Sequence, residues 1–297
     1  MGPSWQHYLI PHSLDEALRL LREAPRPLAL IAGGTDLLLD LEQGRHEPVH
    51  TLIDVSQVPE LRALEVRGDR LFIGAGVTHH EIAQSPLIRR HATALAEASS
   101  HVAGPQVRRV ATIGGNVAHA LPAADGTIAL TVLDPIAEVA SPQGTRRVAF
   151  EDLFAGPGRS TLAEDEILVG FYLPLVEANT ASAFARVMRP QTIALPVLNA
   201  AAWVRREGDR LADVRLTLGP SGPVPRRLRA TEAVLRGQPL TDDVLARAYD
   251  QLLQEAHFRT SRLRATKAYR QHLAYVLMER VLRRAFARCA EPQAAAV

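Results

Sequence analysis

Apolar and polar positions along the start of the chain follow a helical period. Apolar side chains recur at helical spacing from Leu14 to Leu21, behind a capping Ser13 and ahead of Pro25. Because a capping residue precedes this stretch and a proline follows it, the sequence predicts a short helix over residues 14–24.

The next stretch changes period at a pair of glycines. Residues 28–32 form an apolar run of strand length, Gly33 and Gly34 break it, and leucines resume over residues 36–43. This order predicts a strand, a glycine turn and a helix.

Short strands and hairpins dominate the part that follows. Residues 51–55 predict a strand, residues 63–66 and 71–74 flank a polar turn, and residues 136–140 and 146–150 flank a second turn. The two flanked turns predict two hairpins, so the pattern mixes helices with strands.

Between the two hairpins lies a long helical stretch and then an irregular one. Residues 86–101 predict one helix, whereas residues 104–125 contain too many small residues to pack as a regular element. A helix follows over residues 126–133. Residues 167–173 predict a strand that a proline stops, and the domain boundary is expected near residues 174–182.

Beyond that boundary the pattern is hairpin first and helices afterwards. Residues 199–206 and 211–218 are expected to pair, and helices are predicted over residues 231–236, 242–256 and 266–288.

Composition narrows the chemistry. The formal charge is 34 − 32 = +2, which gives no reason to expect nucleic acid or an anionic membrane as partner. Lys267 is the one lysine and Cys289 the one cysteine, so P-loop, Schiff-base and cysteine-ligated metal chemistry are excluded. With no signal peptide and no apolar stretch of spanning length, a cytoplasmic protein without a transmembrane segment is expected.

The first candidate site is the motif AGGTD at residues 32–36. Its two glycines lie where a strand meets a helix, and there backbone N–H groups can approach a phosphate closely. A turn that merely requires a positive φ explains the same glycines, so at this point both interpretations stay open.

A second motif of the same kind, TIGGN at residues 112–116, favours the ligand interpretation. A pyrophosphate has two phosphates, and two glycine loops could hold it from both sides. Asp125 follows nine residues later. It could accept hydrogen bonds from ligand hydroxyls or cap the helix at residues 126–133, and both possibilities remain.

Other motifs of known chemistry are incomplete. Gly74 and Gly76 lack the third glycine of the Rossmann G-x-G-x-x-G pattern, and His79 and His80 are adjacent, so on a helix they face apart. Ser221 lies outside a nucleophile-elbow pattern. No metal site and no catalytic acid, base or nucleophile is predicted.

The two glycine motifs, with PAAD at residues 122–125, resemble the FAD-binding medium subunit of the xanthine dehydrogenase and carbon monoxide dehydrogenase family, the molybdenum hydroxylases. The resemblance extends to YLIP at residues 8–11, VRLTLG at residues 214–219 and AYR at residues 268–270, so it spans nearly the whole chain.

This resemblance implies an α+β fold, with the FAD-binding fold of the vanillyl-alcohol-oxidase (PCMH) type in two N-terminal subdomains and a C-terminal α/β domain. The implied FAD-binding domain is residues 1–176, with subdomains of about 1–57 and 58–176. The C-terminal domain is residues 177–290, and residues 291–297 form a tail.

The resemblance also implies a set of FAD-binding residues. The glycine motifs with their neighbours resemble the backbone cradle of the pyrophosphate, where Thr35, Thr112 and Asn116 add side-chain hydrogen bonds. Asp125, Leu168, Arg186 and Ile193 resemble residues on the flavin side. The full set is Leu30, Ile31, Ala32, Gly33, Gly34, Thr35, Asp36, Leu37, Thr112, Ile113, Gly114, Gly115, Asn116, Asp125, Leu168, Arg186 and Ile193.

One segment departs from the family pattern. Many relatives place an aspartate and an aromatic residue beside the flavin, where this chain has RPQTIAL at residues 189–195. Ile193 or Leu195 is therefore left to cover the ring, and the electron acceptor stays open among NAD, oxygen, a quinone and ferredoxin.

The implied function is an electron-transfer subunit. Its partners would be a large subunit with a molybdenum–pterin cofactor and a small subunit with 2Fe–2S clusters, assembled as a dimer of heterotrimers. The substrate stays open among purines, aldehydes, carbon monoxide and heteroaromatics. A stand-alone flavin oxidase and a binding module without redox activity are the alternatives. The arginine-rich residues 259–288 form either a solvated face or a docking surface.

Overall fold

The computed structural model describes residues 5–188 and 195–290. Its first elements are β1 (His7–Leu9), α1 (Leu14–Glu23), β2 (Leu28–Ile31), α2 (Leu37–Glu42) and β3 (Thr51–Asp54). The three strands form a parallel sheet in the order β1-β3-β2, which leaves β2 at an edge. The helix predicted over residues 14–24 is confirmed, and its cap is Ser13, whose Oγ accepts the Glu16 N–H at 3.1 Å.

The second sheet has five antiparallel strands and contains both predicted hairpins. Its strands are β4 (Leu64–Arg67), β5 (Arg70–Gly74), β6 (Ile136–Ser141), β7 (Gly144–Ala149) and β10 (Ile167–Pro174), in the order β4-β5-β10-β6-β7. Two short strands, β8 (Phe154–Gly156) and β9 (Arg159–Ser160), pair separately. The centre of the sheet is β10, which is buried along its length except at its final proline.

Six helices connect β5 to β6. They are α3 (His79–Gln84), α4 (Pro86–His91), α5 (Thr93–His101), α6 (Pro105–Arg108), α7 (Ile113–Ala118) and α8 (Asp125–Leu133). All nine residues of α8 are buried, because it packs against the helices of this layer and against the C-terminal sheet.

Two predictions in this region are wrong. The single helix predicted over residues 86–101 is divided at Ala92, where Ser182 Oγ accepts the N–H of Ala94 at 3.0 Å and so caps α5 from a distant strand. The stretch 104–125, predicted to be irregular, contains α6 and α7. A glycine-rich α7 is possible because Gly114 packs directly on the Ala75 backbone.

The last part is an antiparallel sheet with three helices after it. Its elements are β11 (Thr180–Met188), β12 (Pro196–Glu207), β13 (Arg210–Gly219), α9 (Arg229–Leu235), α10 (Asp242–Glu255) and α11 (Lys267–Arg288). The predicted pairing of residues 199–206 with 211–218 is confirmed. The expected α/β class is not, because the strands are antiparallel neighbours and precede the helices, which makes this part α+β.

Contacts of Glu97 on α5 join the C-terminal part to the rest. Its carboxylate accepts the Phe184 N–H at 2.8 Å and an Arg288 guanidinium N–H at 2.5 Å, and the Arg284 guanidinium lies 3.7 Å away. Arg284 and Arg288 of α11 therefore contact α5 and β11 of the same chain. In the described ranges, no helix is both long and apolar enough to cross a membrane.

Candidate functional site

The first glycine loop, residues 32–36, turns the chain from β2 into α2. Gly34 has a φ of +66°, a conformation that L side chains rarely adopt. A Cβ at Gly33 would lie 2.1 Å from the Val110 carbonyl oxygen and 2.8 Å from the Ala111 Cα. Both glycines are therefore required by the fold, Gly34 for the turn and Gly33 for close packing against the residues that precede the second loop.

The backbone donors of this loop are available. Within the described ranges, the N–H groups of Gly33, Gly34, Thr35 and Asp36 have no hydrogen-bond acceptor. The next intrahelical bond runs from Leu38 N–H to the Gly34 carbonyl at 3.0 Å. Four successive donors without an acceptor among the described residues, on a partly exposed turn, are available to bind an anion.

The second glycine loop, residues 112–116, differs in that its backbone donors after Thr112 are already used within the chain. The N–H groups of residues 113–116 are all bonded within the chain: that of Ile113 donates to the Val77 carbonyl at 3.0 Å and that of Gly114 to the Ala75 carbonyl at 2.8 Å. Gly115 donates to Thr112 Oγ1 at 3.1 Å, and Asn116 donates to the Thr112 carbonyl at 3.0 Å. The two loops therefore differ in the backbone donors that they leave available to a ligand.

The two glycines of the second loop face different surroundings. A Cβ at Gly114 would lie 2.4 Å from the Ala75 Cβ and 2.7 Å from the Ala75 carbonyl oxygen, so packing excludes any side chain there. Gly115 is exposed, and a Cβ on it would meet only Thr112 Oγ1, at 3.1 Å. Packing does not explain the glycine at 115, whereas the close approach of a ligand would.

Asn116 links the second loop to α8. Its Oδ1 accepts the Thr127 N–H and the Thr127 hydroxyl, each at 3.0 Å. A Cβ at Gly126 would lie 3.0 Å from the same oxygen. Asn116 therefore caps α8, a role that the sequence left open for Asp125, and its amide oxygen is already used within the protein.

Asp125 points away from its own helix. Its Oδ2 accepts an Arg186 Nη1–H at 2.5 Å, and its Oδ1 accepts an Asn199 Nδ2–H at 2.7 Å. Both charged side chains are 5% exposed. The structure thus brings together Asp125 and Arg186, which lie 61 residues apart in the sequence. Of the two possibilities that the sequence left open for Asp125, the cap is not what the structure shows, because Ala124 is the N-cap residue of α8.

Burial raises the pKa of Asp125, while the Arg186 charge and the hydrogen bonds from Asn199 and Arg186 oppose the rise. The same arginine, together with burial, lowers the pKa of His101. An electropositive guanidinium is therefore fixed at this end of the site by a buried carboxylate, which leaves it little freedom to move.

Asn199 is the site residue that sequence reasoning missed. It is fully buried in β12, it donates to the Ala123 carbonyl at 3.0 Å as well as to Asp125, and its Oδ1 is buried without a partner in the described part of the chain. A lone amide inside the apolar run from residue 197 to 202 was the available signal.

His79 is a second buried polar group beside the second loop. Its backbone N–H donates to the Ala111 carbonyl at 3.0 Å, and its ring Nδ1 lies 3.1 Å from Ser99 Oγ. Burial lowers the pKa of the ring to about 4. The ring is therefore neutral near pH 7 and supports the second loop from beneath.

The other expected residues are mostly in the core. Ile31 and Leu168 are 5% and 7% exposed, and Leu30 and Leu37 are partly buried against core clusters, so a ligand could meet them chiefly through their backbone. Ala32 and Thr35 are partly exposed on the first loop. Ile193 lies outside the described residues, and the neighbouring Leu195 is 57% exposed.

These contacts connect the first loop, the second loop and the start of α8, in that sequence, into one site. Gly33 packs on Val110 and Ala111, the second loop follows directly, and Asn116 bonds to α8 just after Asp125. The arrangement offers an anion-binding turn at one end and a buried acid–arginine pair at the other. Among the described residues no group of three His, Cys, Asp or Glu side chains could hold a metal ion. The single cysteine, Cys289, is buried, and this burial raises the pKa of its thiol to about 11.

Two family models match this chain. A family model described as the FAD-binding domain in molybdopterin dehydrogenase matches residues 4–176, more than half of the chain. A second, described as the CO dehydrogenase flavoprotein C-terminal domain, matches residues 182–285.

Individual proteins are similar over almost the full length. The putative xanthine dehydrogenase FAD-binding subunit XdhB of Escherichia coli strain K12 is 32% identical over 277 residues, covering 93% of this chain and 94% of that protein. The carbon monoxide dehydrogenase medium chain of Hydrogenophaga pseudoflava is 29% identical over 290 residues, covering 98% and 100%.

Solved structures are similar in fold as well. Carbon monoxide dehydrogenase from Hydrogenophaga pseudoflava, in a form lacking the Mo-pyranopterin moiety of its molybdenum cofactor, has a chain that superposes with a TM-score of 0.91 at 30% identity, covering 98% of this chain and 100% of that one. Quinoline 2-oxidoreductase from Pseudomonas putida 86 gives a TM-score of 0.89 at 25% identity, with the same coverage.

Proposed function

This chain belongs to the family of FAD-binding subunits of molybdenum hydroxylases, and from that premise we propose that it relays electrons from 2Fe–2S centres on a small partner subunit to an external acceptor. The observation that carries the proposal is the row of four backbone donors on the first glycine loop that have no acceptor among the described residues, together with the exposed Gly115 on the second loop. A bound flavin supplies the redox chemistry, and the chain supplies its position and surroundings.

FAD fits the residues present. The N–H groups of Gly33 to Asp36 would donate to the pyrophosphate, whose negative charge matches four amide dipoles on one turn. Gly115 would leave room for the ligand beside the second loop, which the chain itself holds rigid. In this proposal, the side-chain oxygens of Thr112 and Asn116 cap the helices α7 and α8. The same two side chains would contact FAD through the hydrogen-bonding capacity that these caps do not use.

The acid–arginine pair would define the flavin end of the site. Asp125 holds Arg186 in place, and a fixed guanidinium favours electron-rich ligand atoms in front of it. The unpartnered Asn199 Oδ1 is an additional buried acceptor next to this pair. We keep Leu168 and Ile193 as proposed apolar neighbours of the ring.

The domain division is part of the proposal. The parallel sheet would belong to a subdomain of about residues 1–57 and the five-stranded sheet to one of about 58–176, together a FAD-binding domain of the vanillyl-alcohol-oxidase (PCMH) type. Residues 177–290 would form the C-terminal domain and residues 291–297 a tail. The extents of the two matched family models support this division.

The proposed complex also contains a large molybdenum-binding subunit, which acts on the substrate, and it assembles as a dimer of heterotrimers. A carbon monoxide dehydrogenase medium chain among the relatives supports a multi-subunit assembly. The substrate and the electron acceptor are not assigned.

The test compares the isolated chain with the reconstituted complex under anaerobic conditions. We expect the isolated chain to bind FAD without a covalent link, because neither glycine loop contains His or Cys. Denaturation should release all of the flavin. A chemical reductant should then reduce the bound flavin, whereas purines, aldehydes and carbon monoxide should do so only when both partner subunits are present.

Two results would contradict the proposal. Absence of FAD binding would remove the cofactor assignment, and stoichiometric reduction of the flavin by a substrate in the isolated chain would favour a stand-alone oxidase.

A further inference from the structure

Arg270, in the first turn of α11, is a buried cation without a counter-charge among the described residues. Its side chain belongs to a residue that is 2% exposed, and its Nε and Nη1 have no hydrogen-bond partner in residues 5–188 and 195–290. Other buried charges of this chain are paired, as Asp125 is with Arg186 and Glu232 with Arg227. A buried guanidinium without a partner is unfavourable, so an anion that paired with it would be bound favourably.

The charged groups that act on Arg270 are themselves cations. Burial and the nearby charges of Arg264 and Arg259 together lower its pKa, and no carboxylate opposes them. The acid nearest along the preceding segment, Glu255, is already used, because its side chain accepts the N–H groups of Ala230 and Thr231. The local field therefore favours an anion that this chain does not provide.

Arg259 and Arg264 lie on the loop of residues 257–267, whose backbone is closed by hydrogen bonds. The loop starts where His257 N–H donates to the Ser221 carbonyl at 2.7 Å and ends where Lys267 N–H donates to Thr260 Oγ1 at 3.0 Å. Within it, Ser261 and Ala265 form an antiparallel bridge. Arg259 and Arg264 are exposed on this loop, and the loop keeps both charges close enough to act on Arg270.

Apolar surface lies beside these charges. Tyr269 is 48% exposed and Leu263 is 82% exposed. A small inorganic anion would pair with Arg270 but would leave this surface in water. A protein surface that brings a carboxylate would cover both, and tyrosine and arginine are the residues most enriched at the centre of such interfaces.

Helix α11 runs antiparallel to β11 and so places Arg270 at the end of the sheet that contains Arg186. Near its C-terminus, Arg288 Nη1 donates to the Ser182 carbonyl at 2.8 Å and Arg284 Nη1 to the Phe184 carbonyl at 3.2 Å. Fourteen residues separate Arg284 from Arg270, about 21 Å along a helix. The first turn of α11 therefore lies towards the proposed flavin end of the C-terminal sheet.

We propose that Arg259, Leu263, Arg264, Tyr269 and Arg270 form a docking surface for a partner subunit, and that an Asp or Glu side chain of this partner pairs with the buried guanidinium of Arg270. The proposal rests on the function proposed above, in which the chain works inside a multi-subunit complex. The partner carboxylate supplies the missing counter-charge, the exposed arginines steer the approach, and Tyr269 and Leu263 exclude water from the pair.

The experiment measures how tightly the full-length chain, loaded with FAD, binds the purified assembly of its large and small partner subunits. Arg270→Met keeps the length of the side chain and removes its charge. Arg280→Met is the matched control, because Arg280 is exposed on the same helix. We expect Arg270→Met to weaken association about 30-fold or more, the effect of removing one member of a buried charge pair, and the control to leave it within about twofold.

A second readout distinguishes docking from a structural role. Removing an uncompensated buried charge should leave the unfolding midpoint of the isolated Arg270→Met chain unchanged or higher, with normal FAD content. In addition, Arg259→Gln combined with Arg264→Gln, both on the exposed loop, should slow association and weaken its dependence on salt. These loop variants keep the proposal testable if Arg270→Met fails to fold.

Unchanged affinity in both the Arg270 and the loop variants would overturn the proposal and leave the FAD assignment intact. Stabilisation of the wild-type chain by inorganic phosphate, abolished by Arg270→Met with assembly unaffected, would overturn it in favour of a small-anion site. Failure of the wild-type chain to bind FAD or to assemble would instead contradict the proposed function itself, and the docking surface with it.

Discussion

The first glycine loop, residues 32–36, places its two glycines ahead of α2, whereas the second, residues 112–116, places them in the first turn of α7. Their donors differ. In the first loop four successive N–H groups have no acceptor among the described residues, whereas in the second the corresponding N–H groups are bonded to the chain itself. We therefore propose that the two similar sequences serve different purposes, one to bind an anion and the other to hold a wall of the site in shape.

The positions of the two loops explain this difference. The first follows β2, an edge strand, so no neighbouring strand continues beside it to accept its N–H groups. The second runs beside the extension of β5, where the carbonyls of Ala75 and Val77 accept two of its donors. The edge position keeps the amides of residues 33–36 available for a ligand.

The largest expected effect separates the two glycines of the second loop. Gly114→Ala should lower the free energy of unfolding by about 3 kcal/mol, because the new Cβ overlaps the Ala75 backbone. Gly115→Ala should leave stability unchanged or slightly higher and should weaken FAD binding. Urea unfolding of the FAD-free chain and FAD titration measure the two quantities, and equal destabilisation by both substitutions would contradict the assigned difference.

Acid should weaken the support of the second loop. The folded-state pKa of His79 is about 4 and its ordinary value is 6.5, so between these values the unfolded chain binds the proton more readily. Its contribution to stability is full above pH 6.5 and falls as the pH drops towards 4. We expect a loss of about 2 kcal/mol between pH 7 and pH 5.

Comparison with His79→Gln tests this origin. The variant should show a correspondingly smaller change in unfolding free energy over the same pH range, and an unaltered pH dependence would assign the acid sensitivity to other groups.

A smaller effect is expected in the first loop. Gly34→Ala should lower the free energy of unfolding by about 1.5 kcal/mol, because alanine is strained at a φ of +66°. FAD affinity should fall as well, since the turn that aligns the donors is disturbed. Gly44→Ala is the matched control: it has the same φ of +66° and open space around it. It should have a similar effect on stability with unchanged FAD affinity, and a parallel loss of FAD affinity in the control would refute the local explanation.

The smallest effect concerns the cap of the second loop. Thr112→Val removes the acceptor of the Gly115 N–H and should lower unfolding free energy by about 1 kcal/mol. If Thr112 acts mainly as a cap, Thr112→Ser should restore the stability. A loss of FAD affinity far beyond the loss in stability would instead identify the hydroxyl as a direct ligand.

Local pattern was sufficient for much of the fold. The helix at residues 14–24, both hairpins and the helices after β13 follow from spacing, caps and turn residues. Strand β11 was missed because its small side chains give no clear period. The break at Ala92 was missed because Ser182, which caps the next helix, lies 88 residues away.

The site shows the same limit. Sequence patterns identified both glycine loops and Asp125 as candidates, and the family resemblance added Arg186. They could not show that Ala75 and Val77 use the donors of the second loop, or that Asn199 completes the pair of Asp125 and Arg186. These facts depend on which distant backbone or side chain lies opposite, and no local spacing encodes that.

Amide hydrogen exchange, with and without FAD, tests the central claim most directly. The amides of residues 33–36 should exchange fast in the FAD-free chain and become protected when FAD binds, because the pyrophosphate becomes their acceptor. The amides of residues 113–116 should be protected already and change little. Fast exchange of residues 113–116 without FAD and protection with it, while residues 33–36 stay unchanged, would contradict the division of roles between the two loops.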